Sequence, residues 1–234
     1  MKAKTWGSEI WDEKSRHHDD VGVILGTGFR SKDLEKNTRA TMAAVEALGF
    51  NNLRAGASVL DVGVGPSARF SIALAQRGFR VTGLDASKEA LRRAAGNCEK
   101  AGVSIGFLES DLTAFTTAEK FEALFCVETF FHLPAHLSLT AFTAFNKALK
   151  PQGKALVQFA VLNEMTPGFL LKALVYMTGY KILRPVFEML GKRTFYVTVA
   201  RHSEQEIHDI AERTGFRLLC HHNGYFLFEK TRDL

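Results

Sequence analysis

A chain of 234 residues is long enough for one large domain with a full core and short for two. Hydrophobic residues at 46% and charged residues at 24% are ordinary for a soluble globular protein. The formal net charge of +5 comes without a dense Lys/Arg run, so nucleic acid is not expected as a partner.

Cys98, Cys126 and Cys220 lie far apart and form no Cys-x-x-Cys pair. Neither a disulfide framework nor a metal site is expected, and a cytoplasmic location fits. The start, Met1 to Trp6, lacks the apolar run of a signal peptide. The 19 phenylalanines point either to an aromatic-lined pocket or to a Phe-rich core.

Residues 6–30 read as a short helix and a loop carrying Trp6, Trp11, His17 and His18. Trp11 and the two histidines are either part of a lid or exposed helix residues. A helix is predicted from Lys32 to Leu48, stopped by Gly49-Phe50-Asn51-Asn52. Val59-Leu60-Asp61-Val62 then forms a buried strand that breaks into Gly63-Val64-Gly65-Pro66-Ser67, with a helical pattern from Ala68. Such a strand, glycine turn and helix start make a nucleotide-type pocket at a sheet edge. Ser67 is small and able to cap the helix that follows.

Arg80 to Asp85 is a second strand, and Ser87 caps a helix running to about Ala101. Val103 to Asp111 is a third strand, Phe121 to Val127 a fourth, Pro134 to Leu149 a helix, and Gly153 to Val161 a fifth strand. This alternation predicts an α/β, doubly wound parallel sheet with helices on both faces. A helical insertion over 163–193 follows, then a strand from Thr194 to Ala200. Ser203 and Glu206 form a capping box, and Asn223-Gly224 joins two apolar runs as a terminal antiparallel hairpin.

Asp61, Asp85 and Asp111 each stand at or just after a predicted strand end. In a parallel sheet those ends lie side by side, so the three carboxylates are expected to converge on one crevice. A carboxylate at the second strand end accepts from both hydroxyls of a ribose. The one after the third strand suits an adenine amino group, and the one before the glycines an ammonium. Gly63-x-Gly65-x-x-Ala68 also fits a dinucleotide fingerprint, with Asp85 near its acidic position.

On these residues the chain resembles the class I S-adenosylmethionine-dependent methyltransferases. Val59 to Gly65 is similar to the family's first motif, and Val81 to Ser87, with Asp85, to its second. Glu109-Ser110-Asp111-Leu112 resembles the adenine segment, Phe121 to Leu133 the fourth-strand motif, and Leu149 to Lys154 the turn before the fifth strand. Ser67 departs from the usual third glycine. The resemblance implies one Rossmann-like domain over 1–234, with residues 1–50 as a helical cap. It implies S-adenosylmethionine as cofactor, held by Asp61, Gly63, Gly65, Ser67, Asp85, Ala86, Asp111, Leu112, Cys126 and Val127.

No catalytic residue is comparably marked. Methyl transfer from a sulfonium is an in-line displacement, for which positioning and desolvation supply much of the rate. His132 and Glu128 are the weak candidates; His132 reads first as an anchor for the helix near Pro134, and Glu128 first as a cofactor contact or packing residue. The 163–193 insertion is greasy, but Lys172, Lys181, Arg184 and Pro185 interrupt it, so it is not expected to span a membrane. It reads as helices over the active site, with Phe169, Tyr176, Met177 and Phe187 joining Phe131 and Tyr196 as an acceptor wall. Packing on the sheet, a dimer contact, and an interfacial membrane helix are the alternatives. The expected function is methyl transfer to a small apolar or aromatic acceptor, by a monomer or homodimer. The rival is a methyltransferase-like protein that acts on protein or RNA, or is inactive.

Overall fold

The computed structural model describes residues 8–25, 29–161 and 199–234. Helices α1 (Ser8–His17), α2 (Asp20–Ile24) and α3 (Ser31–Ala47) come first. The alternating part follows as β1 (Ser58–Val62), α4 (Arg69–Gln76), β2 (Arg80–Asp85), α5 (Lys88–Lys100) and β3 (Gly106–Glu109). It continues through β4 (Phe121–Cys126), α6 (Ser138–Ala148) and β5 (Leu149–Gln158). The remainder is β6 (Ala160–Val161), β7 (Arg201–His202), α7 (Glu204–Arg213), β8 (Phe216–His222) and β9 (Tyr225–Lys230).

Seven strands form one sheet in the order β3-β2-β1-β4-β5-β9-β8. β1 to β5 pair in parallel, while β9 runs antiparallel to both β5 and β8. β1 is flanked by β2 on one side and β4 on the other, so the chain winds away from it in both directions. That divergence opens a crevice at the carboxyl ends of the strands, where this architecture places ligands.

Local chemistry explains the elements that frame the crevice. Every residue of β1 is buried, as a central strand covered on both faces requires. Ser87 caps α5 by accepting from the Ala90 N–H at 3.0 Å, and Ala90, Leu91, Ala94 and Cys98 form its buried stripe. Asn223 and Gly224 both take positive φ, 49° and 77°, which sets the tight turn between β8 and β9.

Most of the described phenylalanines make core, with Phe29 exposed and Phe131 only partly buried. Phe142 meets Phe130, Phe216 and Phe228 edge-on at ring distances of 5.4, 5.7 and 5.5 Å, and all four are buried. Truncating such a ring to alanine costs about 3–5 kcal/mol. A second buried cluster, with Phe50, Phe70 and Phe125, fills the space between the sheet and α3 and α4.

Several boundaries differ from expectation: the strand expected over Gly153 to Val161 is divided between β5 and β6, and the helix expected from Pro134 begins at Ser138. The third strand is only Gly106–Glu109. The turn expected at Leu149 to Lys154 is instead an irregularity within β5: Phe121 pairs with Leu149, Ala123 with Lys154, and Gln152 takes φ 62°. A bulge absorbs the extra residues without ending the strand. The strand expected over 194–200 falls outside the described residues up to 198, and Val199 and Ala200 are not strand. Pairing starts at Arg201, opposite Ala160. The 163–193 insertion lies outside the described residues, as do Phe169, Tyr176, Met177, Phe187 and Tyr196. No helix among the described residues is long and apolar enough to cross a membrane.

Candidate active site

A cavity of about 410 Å³ occupies the crevice. One side is built from Asp85, the last residue of β2, and from Gly63 to Ser67, Ala86 and Ser110 to Leu112 on the loops that leave β1, β2 and β3. The other side is Val127, Glu128, Thr129, Phe131 and His132, beyond β4. Trp11, Lys14 and Ser15 of α1 and Val23 and Ile24 of α2 complete the wall.

The glycine turn is shaped by close contacts. Gly63 and Gly65 take φ 80° and 62°, a region that glycine enters without a Cβ clash. The N–H groups of Gly63 and Val64 donate to the Leu84 carbonyl at 2.7 and 3.1 Å, tying the turn to β2. Gly65 N–H donates to Asp85 Oδ2 and Ser87 N–H to Asp85 Oδ1, each at 2.9 Å. Burial raises the Asp85 pKa, and these backbone donors oppose the rise. Asp85 thus fixes the turn and faces the cavity at once.

Two hydroxyls in the cavity wall are buried without a hydrogen-bond partner among the described residues, Ser67 Oγ and Ser15 Oγ. Ser67 was expected as a helix cap. Ala68, at φ 48°, holds the N-cap position of α4 instead, with no side-chain cap. The Ser67 hydroxyl therefore caps no helix and has no partner among the described residues, an arrangement that costs about 1–3 kcal/mol until one is supplied.

The three strand-end carboxylates do not all converge. Asp61 sits within β1, 2% exposed, and accepts from Ser71 Oγ at 2.6 Å. Burial pushes its pKa up to about 7, against the Ser71 hydrogen bond. It does not line the cavity, because its side chain is turned onto α4. Cys126, also expected at the cofactor, is likewise behind the wall, and burial pushes its thiol pKa up. Asp111 does line the cavity, but its Oδ1 already accepts from Thr113 N–H and Oγ1 at 2.7 and 2.6 Å. Ala86, Leu112 and Val127 stand in the wall beside the glycine turn and Asp85.

Glu128 and His132 have different surroundings. The Glu128 carboxylate is ion-paired to Arg69, and its N–H donates to Gln158 Oε1 at 2.9 Å. Arg69 also donates to Asn37 and Thr38 of α3, and its guanidinium lies 4.1 Å over the Phe70 ring. Glu128 is therefore held as part of a network that joins α3 to the cavity. The His132 ring lies 4.5 Å from Phe131 and 5.3 Å from Trp11, on the cavity wall rather than as an anchor only.

Sequence reading missed Arg69, Lys14, Ser15 and Gln158 in this wall. Of Trp11, His17 and His18, only Trp11 reaches it. Among the described residues no group of three His, Cys, Asp or Glu is placed to hold a metal ion.

A mostly parallel seven-stranded sheet closed by an antiparallel β9, with a glycine turn and a β2 acid at its crevice, is the Rossmann-like methyltransferase architecture. Residues 59–153 match the family model described as "Methyltransferase domain". A ubiquinone biosynthesis O-methyltransferase from Actinobacillus pleuropneumoniae is 33% identical over 122 residues, half of each chain. The enzyme of that name from Coxiella burnetii is 32% identical over 168 residues, 70% of this chain and 65% of its own. The chain thus spans about half to two thirds of these relatives' length.

Among solved structures, the magnesium protoporphyrin IX methyltransferase of Synechocystis with bound SAH superposes with a TM-score of 0.66. The alignment has 18% identity and covers 96% of this chain and 97% of that one. The same enzyme with bound SAM gives 0.65. The match to the methyltransferase-domain model, the curated relatives and the shared fold together indicate a class I S-adenosylmethionine-dependent methyltransferase. That family's cofactor fits the β1–β3 side of the wall: the unpartnered Ser67 hydroxyl, a turn open to close backbone approach, and a carboxylate at the end of β2.

Proposed function

We propose that the protein transfers the methyl group of S-adenosylmethionine to an oxygen of a small acceptor with an apolar or aromatic body. The cavity carries this reading. Its β1–β3 side offers Ser67, Asp85 and Asp111, while α1 and the β4 side offer Trp11, Phe131 and His132. A polar cofactor and a largely apolar acceptor call for such a division. When bound, the cofactor supplies a methyl group on a sulfonium, activated without help from the protein.

The protein's own part is placement. Asp85 receives the ribose hydroxyls, and Gly63, Gly65 and Ser67 receive the amino-acid end. Asp111 and Leu112 bound the adenine. Arg69 and Glu128 neutralise each other and brace the β4 loop against α3. α1 and α2 act as the cap, keeping water from the reacting atoms. His132 faces the acceptor side, where it accepts a hydrogen bond from the acceptor hydroxyl. The relatives' name supports oxygen as the methylated atom. Cys98 and Cys126, buried and unpaired, support a reducing compartment such as the cytoplasm.

The test is incubation with methyl-labelled S-adenosylmethionine and a panel of alkyl-substituted phenols and catechols. Label on a phenolic oxygen is expected. Label that appears only in added protein or RNA would overturn the small-acceptor reading.

A further inference from the structure

We propose that Lys14 and Ser15 of α1 form an anion-binding corner of the cavity, and that the acceptor carries a carboxylate beside its apolar or aromatic body. The assignment rests on the methyl-transfer reading above and names the substrate class for that site.

Lys14 lines the cavity with its Nζ 5.0 Å from the Trp11 ring centroid. Burial holds its pKa below the usual lysine value. No ion pair joins Lys14 to a carboxylate among the described residues, and several acids of α1, α2 and the cavity wall have other partners. Asp12 pairs with Arg16 and accepts from Ser87 Oγ and Glu89 N–H. Asp20 pairs with Arg93 and Asn97, and Glu128 with Arg69. A partly buried ammonium with no carboxylate partner among the described residues is unfavourable, and a ligand carboxylate in the cavity offsets that.

Ser15 is the independent second observation. It is 3% exposed, its hydroxyl has no partner among the described residues, and it lines the same cavity. One ammonium and one hydroxyl match a monoanion. A phosphate is met more often by a bidentate Arg or a helix N-terminus.

Lys14 also stands on the acceptor side. It contacts Trp11, whose ring adjoins His132, whose ring adjoins Phe131. The other cation of the wall, Arg69, starts α4 directly after the glycine turn and is neutralised by Glu128.

Calorimetry on the protein saturated with S-adenosylhomocysteine tests this, using 3-phenylpropionate and its uncharged isostere 3-phenylpropionamide. The wild type is expected to bind the acid at least about tenfold more tightly than the amide. Lys14→Met, which keeps an apolar stem against Trp11, removes the preference and leaves S-adenosylhomocysteine affinity within about twofold. Lys14→Arg restores part of it. Equal binding of acid and amide by the wild type would overturn the proposal. So would a preference that survives Lys14→Met while S-adenosylhomocysteine binding falls tenfold, which would assign Lys14 to the cofactor's own carboxylate. S-adenosylhomocysteine binding without an acid preference removes this inference alone; no S-adenosylhomocysteine binding at all removes the methyl-transfer reading with it.

Discussion

Thr129 is fitted against Gly63 across the crevice. Its Oγ1 donates to the Gly63 carbonyl at 3.3 Å, and a Cβ on Gly63 would stand 2.7 Å from Thr129 Cβ and nearer still to its Oγ1 and Cγ2. Gly63 also takes φ 80°, so two separate costs oppose any side chain there. The β1 turn and the β4 loop, the two sides of the cavity, meet at this contact.

Gly63→Ala is therefore expected to lose about 2 kcal/mol or more, from the left-handed φ and the collision together. Thr129→Gly in the same chain relieves the collision and recovers part of the loss, leaving the φ cost. Denaturant unfolding of the single and double variants measures both. Equal stability of Gly63→Ala and wild type would mean that the turn does not require glycine.

Asp61 makes stability depend on pH in a defined direction. Its folded pKa of about 7 lies above the usual carboxylate value of 3.8, so the folded state holds the proton more tightly. The unfolded state then binds fewer protons between pH 4 and 7, and stability falls as pH rises through that window. Asp61→Asn accepts from Ser71 but cannot ionise. The wild type should lose stability relative to this variant from pH 4 to 7, by roughly 1–4 kcal/mol on the scale of 1.36 kcal/mol per unit. A constant difference across that range would place Asp61 in a more polar setting than its burial implies.

His132 is expected to orient the acceptor without being an obligatory base. His132→Asn keeps a hydrogen-bonding side chain beside Phe131 and Trp11 but cannot take up a proton near neutral pH. Turnover should fall less than about tenfold, since loss of a true general base costs about 10²–10⁴ in rate. A fall in that larger range, with unchanged melting and unchanged S-adenosylhomocysteine affinity, would make His132 the base.

The alternation of apolar strands and helices was legible because buried parallel strands and amphipathic helices carry distinct periods. The glycine turn and Asp85 were legible for the same local reason: strand, turn and acid follow each other closely in the chain. Asp61 was misplaced because one position decides whether an acid leaves a strand end or stays within the strand, and composition does not resolve that. The Asp111–Thr113 contact had a readable signal, an Asp two residues before a threonine, which forms its own turn. Lys14, Ser15 and Arg69 had none. Lys14 and Ser15 reach the cavity because Arg93 of α5 holds the Ser15 and His18 carbonyls, a contact 78 residues apart for Ser15. No local pattern encodes such a pairing.

Asp85 offers the most direct test of the central claim, that this crevice holds S-adenosylmethionine. Both Asp85 oxygens accept backbone N–H groups of the turns that form the site, so Asp85→Ala removes the ribose acceptor and frees the donors of Gly65 and Ser87. Each unpaired group costs about 1–3 kcal/mol. Calorimetric titration with S-adenosylhomocysteine should show saturable binding at one site per chain in the wild type. Asp85→Ala should bind at least about tenfold more weakly while still unfolding cooperatively, and NAD should give no comparable heat. Unchanged affinity in a folded Asp85→Ala variant, or tighter binding of NAD by the wild type, would contradict the account.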